Sequence, residues 1–202
     1  RARSMQYGLN WLANDSDFHQ AVVDGSPQKI EQALEEFEPS IRGSELLVLD
    51  LNDKIVTSTL KNLPAGHVFP LATALNQARR TSQSRVIGVL DGRPYLMAQG
   101  VVLAPLPLMR VVSALPMSDF FAYELRSLSN LEVSFLAIKQ GQAGPLSSTQ
   151  PDVMDAWLVR FLTEHTAGPT THVSEFDQQR FLGQQLQLAS YGDPASGQVM
   201  AL

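Results

Sequence analysis

The chain carries one order of elements twice, and this repeat constrains its fold more than any single motif does. Asp91-Gly92-Arg93-Pro94-Tyr95-Leu96 aligns with Asp177-Gln178-Gln179-Arg180-Phe181-Leu182 at a shift of 86 residues, and Val112-Ser113-Ala114-Leu115 aligns with Val199-Met200-Ala201-Leu202 at a shift of 87. Identities are few, whereas order and spacing recur. Residues 46–115 and 131–202 are therefore expected to be two α+β units of one type in tandem, each an antiparallel sheet of about five strands covered by helices.

Length and composition support this reading. A chain of 202 residues with 44% hydrophobic and 17% charged side chains has ordinary cores for two small domains. A net charge of −5 without any Lys/Arg run excludes a nucleic-acid surface, which needs clustered cations. The absence of cysteine excludes disulfides, thiol catalysis and cysteine-bound metal, and it suits an oxidising compartment. No apolar run approaches the roughly 20 residues that cross a bilayer. The sequence opens inside a helical pattern and stops in a strand-like run, as expected of a domain excised from a longer protein.

Along the chain, Met5, Leu9, Leu12, Val22 and Val23 predict one long N-terminal helix closed by Asp24-Gly25-Ser26-Pro27, and Ile30, Ala33, Leu34, Phe37 and Ile41 mark the apolar face of a second. Residues 45–51 and 54–59 read as a hairpin turning at Asn52-Asp53. Pro70 opens a helix carrying Leu71, Ala74, Leu75 and Ala78. Asp91-Gly92 turns a stronger hairpin between residues 85–90 and 95–103, and a strand at 109–115 follows. Ser118 caps a connecting helix. Then come a strand from Leu131, a loose turn over 141–151, a helix with Met154, Trp157, Leu158, Phe161 and Leu162 on one face, and strands at 172–176, 180–190 and 198–202. The resulting division is 1–44 for the N-terminal helices, 45–116 and 131–202 for the two units, and 117–130 for the connecting helix.

Catalytic and metal chemistry find little support. His19, His67, His165 and His172 lack the helical spacing of paired metal ligands. There is no Gly-x-Ser-x-Gly elbow and no Gly-rich phosphate loop. Asp15, Asp17 and His19 read as a polar helix terminus, and Glu31, Glu35, Glu36 and Glu38 as a solvated helix face. Neither a catalytic residue nor a metal or cofactor is expected. Trp157 and Phe161 either floor a pocket or form a core stripe, the core being the commoner outcome.

The strand after Asp91-Gly92 is more informative. Alternation puts Arg93, Tyr95, Met97 and Gln99 on one face, mixing polar heads with apolar bodies as a small-molecule pocket does, although a solvent-exposed face reads the same way. His67, Phe69 and Ser113 are lid and wall candidates. Arg93, with its forked donors, and Tyr95 would suit a small polar or anionic solute. The second unit has Asp177-Gln178 in place of Asp91-Gly92, so it is expected to lose the tight turn and the pocket with it.

Three stretches carry a family likeness. Asp15-Ser16-Asp17-Phe18-His19-Gln20-Ala21-Val22 with Asp24-Gly25-Ser26-Pro27, then Leu47-Val48-Leu49-Asp50-Leu51 through Thr57-Ser58-Thr59, resemble the opening helix and first hairpin of a double Cache domain. This is the extracytoplasmic sensor of bacterial transmembrane receptors. Val89-Leu90-Asp91-Gly92-Arg93-Pro94-Tyr95, followed by Val101-Val102-Leu103-Ala104-Pro105-Leu106-Pro107-Leu108 and then residues 120–135, resembles the branch upstream of cyclic-dinucleotide signalling enzymes and histidine kinases. The chain departs from the pattern at Asn52-Asp53-Lys54, where the first hairpin usually has Asp-Gly. It also lacks the Arg/Trp/Tyr/Asp constellation of amino-acid sensors, so no free amino-acid ligand carries over.

The resemblance implies two tandem PAS-like modules in the periplasm, binding a solute in the first, membrane-distal module and transmitting its state across the membrane through the long N-terminal helix. The domain itself would not be an enzyme. The rival expectation is a dimerisation spacer without ligand, pairing with a second copy through that helix.

Overall fold

The computed structural model describes residues 2–37, 43–60, 62–81, 85–91, 93–139, 142–164, 171–184, 186–188, 190–191 and 198–201. Ile41, Gly92, Gly141 and His165 lie outside them. The described helices are α1 (Ala2–Ala13), α2 (Ser16–Asp24), α3 (Pro27–Phe37), α4 (Ala72–Arg80), α5 (Asp119–Ser129) and α6 (Asp155–Glu164). The strands are β1 (Glu45–Leu49), β2 (Ile55–Ser58), β3 (Val86–Leu90), β4 (Arg93–Leu103), β5 (Pro107–Pro116), β6 (Ser134–Lys139), β7 (Gln142–Ser148), β8 (Thr171–Phe176), β9 (Gln179–Gln184), β10 (Leu186–Leu188), β11 (Ser190–Tyr191) and β12 (Gln198–Ala201). Two compact units result, Arg1–Val86 with Leu96–Pro116, and Ile87–Tyr95 with Met117–Leu202.

The single long N-terminal helix expected from the apolar pattern is instead two helices. Asp15 adopts extended backbone, and its carboxylate accepts hydrogen bonds from the amides of Asp17 and Phe18 at 3.1 and 2.9 Å, which starts α2 afresh. Gly25, with φ of 65°, closes α2 in the left-handed conformation that favours glycine. The apolar face survives the break: Met5, Leu9, Leu12, Phe18, Ala21 and Val22 are buried, as are Ile30, Leu34 and Phe37 of α3.

In the first unit β1 pairs antiparallel with both β2 and β5, in register from Glu45 opposite Ala114 to Leu49 opposite Arg110. Leu46, Leu47, Val48 and Leu49 are all fully buried, so β1 carries an uninterrupted apolar run because both its faces are covered. α1 lies on one face. A Cβ built on Gly100 of β4 would stand 3.5 Å from Leu9 Cβ, and the Gln6 carboxamide donates to the Gln99 carbonyl at 3.4 Å. The His19 ring, through Nε2, bonds the Leu103 carbonyl at 2.9 Å, holding α2 to the end of the same strand. α4 lies on the other face, reached by side chains of β4 and β5.

The strand order is β2-β1-β5-β4-β3-β11, and the last pair is parallel, with Ser190 opposite Ile87 and Tyr191 opposite Gly88. This corrects the expectation of a purely antiparallel sheet, because β11 falls where one continuous strand over 180–190 was expected.

The second unit has a four-stranded sheet, β10-β12-β6-β7, and a separate hairpin of β8 and β9. β7 occupies part of the segment expected to be a loose turn. Gly144 and Pro145 hide it in the sequence, and Pro145 is tolerated because β7 is an edge strand whose outer side needs no donor. The β8–β9 turn is also tight, correcting the expected loss: Asp177 and Gln178 both have positive φ, 48° and 63°, between the paired Phe176 and Gln179. Behind this hairpin α6 buries Trp157, Leu158, Phe161 and Leu162, the core outcome for that stripe. Gly183 is required there, since a Cβ would meet Phe161 Cζ at 2.7 Å.

Candidate functional site

The α4 side of the first unit contains a charge that the sequence reading did not single out. Arg110 is 4% exposed on β5, between apolar neighbours. Its Nη1 donates to Asn76 Oδ1 at 2.7 Å, and its Nη2 bonds the Asp53 carboxylate and, at 3.5 Å, the Asp50 carbonyl. Asn76 in turn donates to both Asp53 oxygens at 3.3 and 3.2 Å. Asp53 holds a positive φ of 67° in the β1–β2 turn, and its carbonyl accepts from Phe69 at 2.8 Å. One ion pair thus ties the turn, the approach to α4, α4 itself and β5. A buried arginine needs this, because an unpaired charge in such a place is strongly destabilising. Its charge is paired with Asp53, and both Nη atoms are bonded.

Gln99 is the second polar group on this side. Its Nε2 donates to the Leu75 carbonyl of α4 at 2.7 Å, while its Oε1 is buried with no hydrogen-bond partner among the described residues. Met97, two residues earlier on the same strand face, is fully buried. Phe69 is buried as well, with its amide on Asp53. Met97, Gln99 and the backbone of Phe69 therefore belong with Arg110 to one layer beside α4.

The other expected site residues do not all join them. Tyr95 is buried and keeps the strand parity of Met97, in the segment that belongs to the second unit. Arg93 is exposed directly after the turn, and His67 is exposed, its carbonyl accepting from the Ile55 amide. Ser113 is buried, but it stands three positions along from Arg110 on a regularly paired strand, so it faces the α1 side.

An open groove of 360 Å³ between α2 and α3 is lined by Asp17, Gln20, Asp24, Lys29, Gln32 and Glu36. There the Lys29 hydrogen bond, followed by that of Gln20, holds the Asp24 carboxyl below its ordinary value. Among the described residues no cluster of three or more His, Asp or Glu is placed to hold a metal.

Solved structures supply the context for this geometry. The periplasmic domain of Vibrio cholerae LuxQ is similar over 98% of this chain and 89% of its own, at 14% identity and a TM-score of 0.55. This chain shares the fold of bacterial sensor domains. The same sensor fold appears in the V. cholerae histidine kinase DctB, at 13% identity, 96% and 86% coverage and a TM-score of 0.53. It appears again in the ligand-binding domain of the Campylobacter jejuni chemoreceptor Tlp3, solved with 4-methylisoleucine, at 10% identity, 99% and 79% coverage and a TM-score of 0.52. No known family profile and no curated protein matches the chain.

Proposed function

We propose that the chain is the periplasmic, small-molecule-sensing part of a membrane-bound signalling receptor, of histidine-kinase or cyclic-dinucleotide type, built as two tandem PAS-like modules. The observation that carries it is the layer beside α4, where Gln99 and Arg110 are set among buried apolar side chains, the composition of a small-molecule site. The sensor domains of similar fold agree with it in kind. The chemoreceptor solved with 4-methylisoleucine shows one solute class that this fold accepts.

The strand orders support the tandem reading. β2-β1-β5 in the first sheet, the second, first and last strands of its repeat, is matched by β7-β6-β12 in the second. Both hairpins also turn on an aspartate with left-handed backbone, φ 50° at Asp91 and 48° at Asp177. The ligand belongs to the first module, and Tyr7 and Trp11, exposed one turn apart on α1, are the surface for a homodimer.

The test is a thermal-shift screen of small metabolites, followed by NMR of the Met97 methyl in the responsive condition. A ligand at 100 times its Kd adds ~2.7 kcal/mol, a rise of roughly 5–10 °C for a chain of this size. A hit that leaves the Met97 methyl and the α4 amides unmoved shows the site to be elsewhere. A screen without a hit overturns the sensing reading.

A further inference from the structure

We infer that the solute taken beside α4 offers a hydrogen-bond donor from an uncharged or cationic head to Gln99 Oε1, and that it is not an anion. The inference rests on the sensing reading above and specifies its ligand. Most buried side-chain polar atoms have a partner, so a fully buried carboxamide oxygen without one marks a place where a donor is missing. The amide cannot be turned to hide the mismatch. Its Nε2 is fixed on the Leu75 carbonyl at 2.7 Å, and a flip would set oxygen against oxygen there.

The cation that could have favoured an anion is already spent. Arg110 pairs its charge with Asp53, and its two Nη atoms bond Asn76, Asp53 and the Asp50 carbonyl. Arg93, whose forked donors suggested an anion in the sequence, is exposed. A carboxylate head would meet Gln99 Oε1 lone pair to lone pair, whereas an amide, hydroxyl or ammonium head completes it. Met97, on the same strand face, supplies apolar surface for the remainder of the molecule.

Three probes with one branched aliphatic body separate the cases: 4-methylpentanamide, which donates, methyl 4-methylpentanoate, which only accepts, and 4-methylpentanoate, an acceptor with a charge. Titrated into the 202-residue chain by NMR, the amide is expected to bind at least about tenfold tighter than either of the others. Gln99→Leu and Gln99→Met should each remove that preference, with thermal melts confirming that both variants fold. Equal binding of ester and amide, preference for the carboxylate, or no binding of the amide overturns the inference. If the metabolite screen instead returns an acceptor-only anion that moves the Met97 methyl, the ligand class is wrong while the sensing reading stands.

Discussion

The helix α4 in the first unit and the helix α6 in the second are held in place by opposite chemistry. α4 buries Ala72, Ala74, Leu75 and Ala78, little bulk for a helix, and is located by directed bonds from Gln99 to the Leu75 carbonyl and from Arg110 to Asn76. α6 buries Trp157, Leu158, Phe161 and Leu162, and the Trp157 ring lies 5.3 Å from Phe181, 5.5 Å from Phe161 and 6.2 Å from Phe176. Apolar packing of this density resists change, because every removed methylene leaves a void. A helix located by a few hydrogen bonds and one ion pair has a defined position that a competing polar group can alter. The contrast supports placing ligand chemistry in the first unit and scaffolding in the second.

Three substitutions bear on this contrast. The largest effect is expected from Phe161→Ala, which empties the centre of the aromatic cluster and should cost about 4 kcal/mol in urea unfolding of the second unit. A cost under 1 kcal/mol would show that α6 is as loosely supported as α4. Next is Asp53→Ala, which strands the charge of Arg110. Asp53 is itself 29% exposed, so the cost should be about 2–3 kcal/mol, below the range for a fully buried pair. No measurable loss would mean that the ion pair behaves as a surface one and does not hold α4. The smallest is Gln178→Gly. Gln178 sits at φ 63° without glycine's freedom, so the exchange should stabilise the second unit by about 1 kcal/mol, and a neutral or negative result would show that the strain is absorbed elsewhere in the hairpin.

Legibility in the sequence followed the physical range of each signal. Hairpins flanked by β-branched runs and helices with one apolar face were readable, because the cause lies within a few residues. The break between α1 and α2 was readable too, in Asn14-Asp15-Ser16, but the continuous apolar stripe outweighed the cap. β7 was not, since Gly144 and Pro145 argue for a loop and only its pairing with β6 makes it a strand.

The candidate site shows the same division. Met97 and Gln99 came from simple alternation, whereas the face occupied by Ser113 depends on register, which no local pattern fixes. Arg110 had a visible signal: it is the lone charge in the run from Leu106 to Leu115, where Ser113 is the only other polar side chain. Its partners Asp53 and Asn76 are 57 and 34 residues away, a pairing that only the folded chain discloses.

The chain has two tryptophans, and they fall one to each unit. Trp11 on α1 is 61% exposed and tilted over Phe37, with ring centroids 5.1 Å apart, whereas Trp157 is 8% exposed and donates from its indole nitrogen to Ser174 Oγ at 3.2 Å. A solvent-facing indole emits to the red of a buried one, so in a monomer the emission of Trp11 is expected to the red of that of Trp157. Red-edge emission follows the unit proposed to take a ligand, and blue-edge emission follows the aromatic scaffold, in one unlabelled sample.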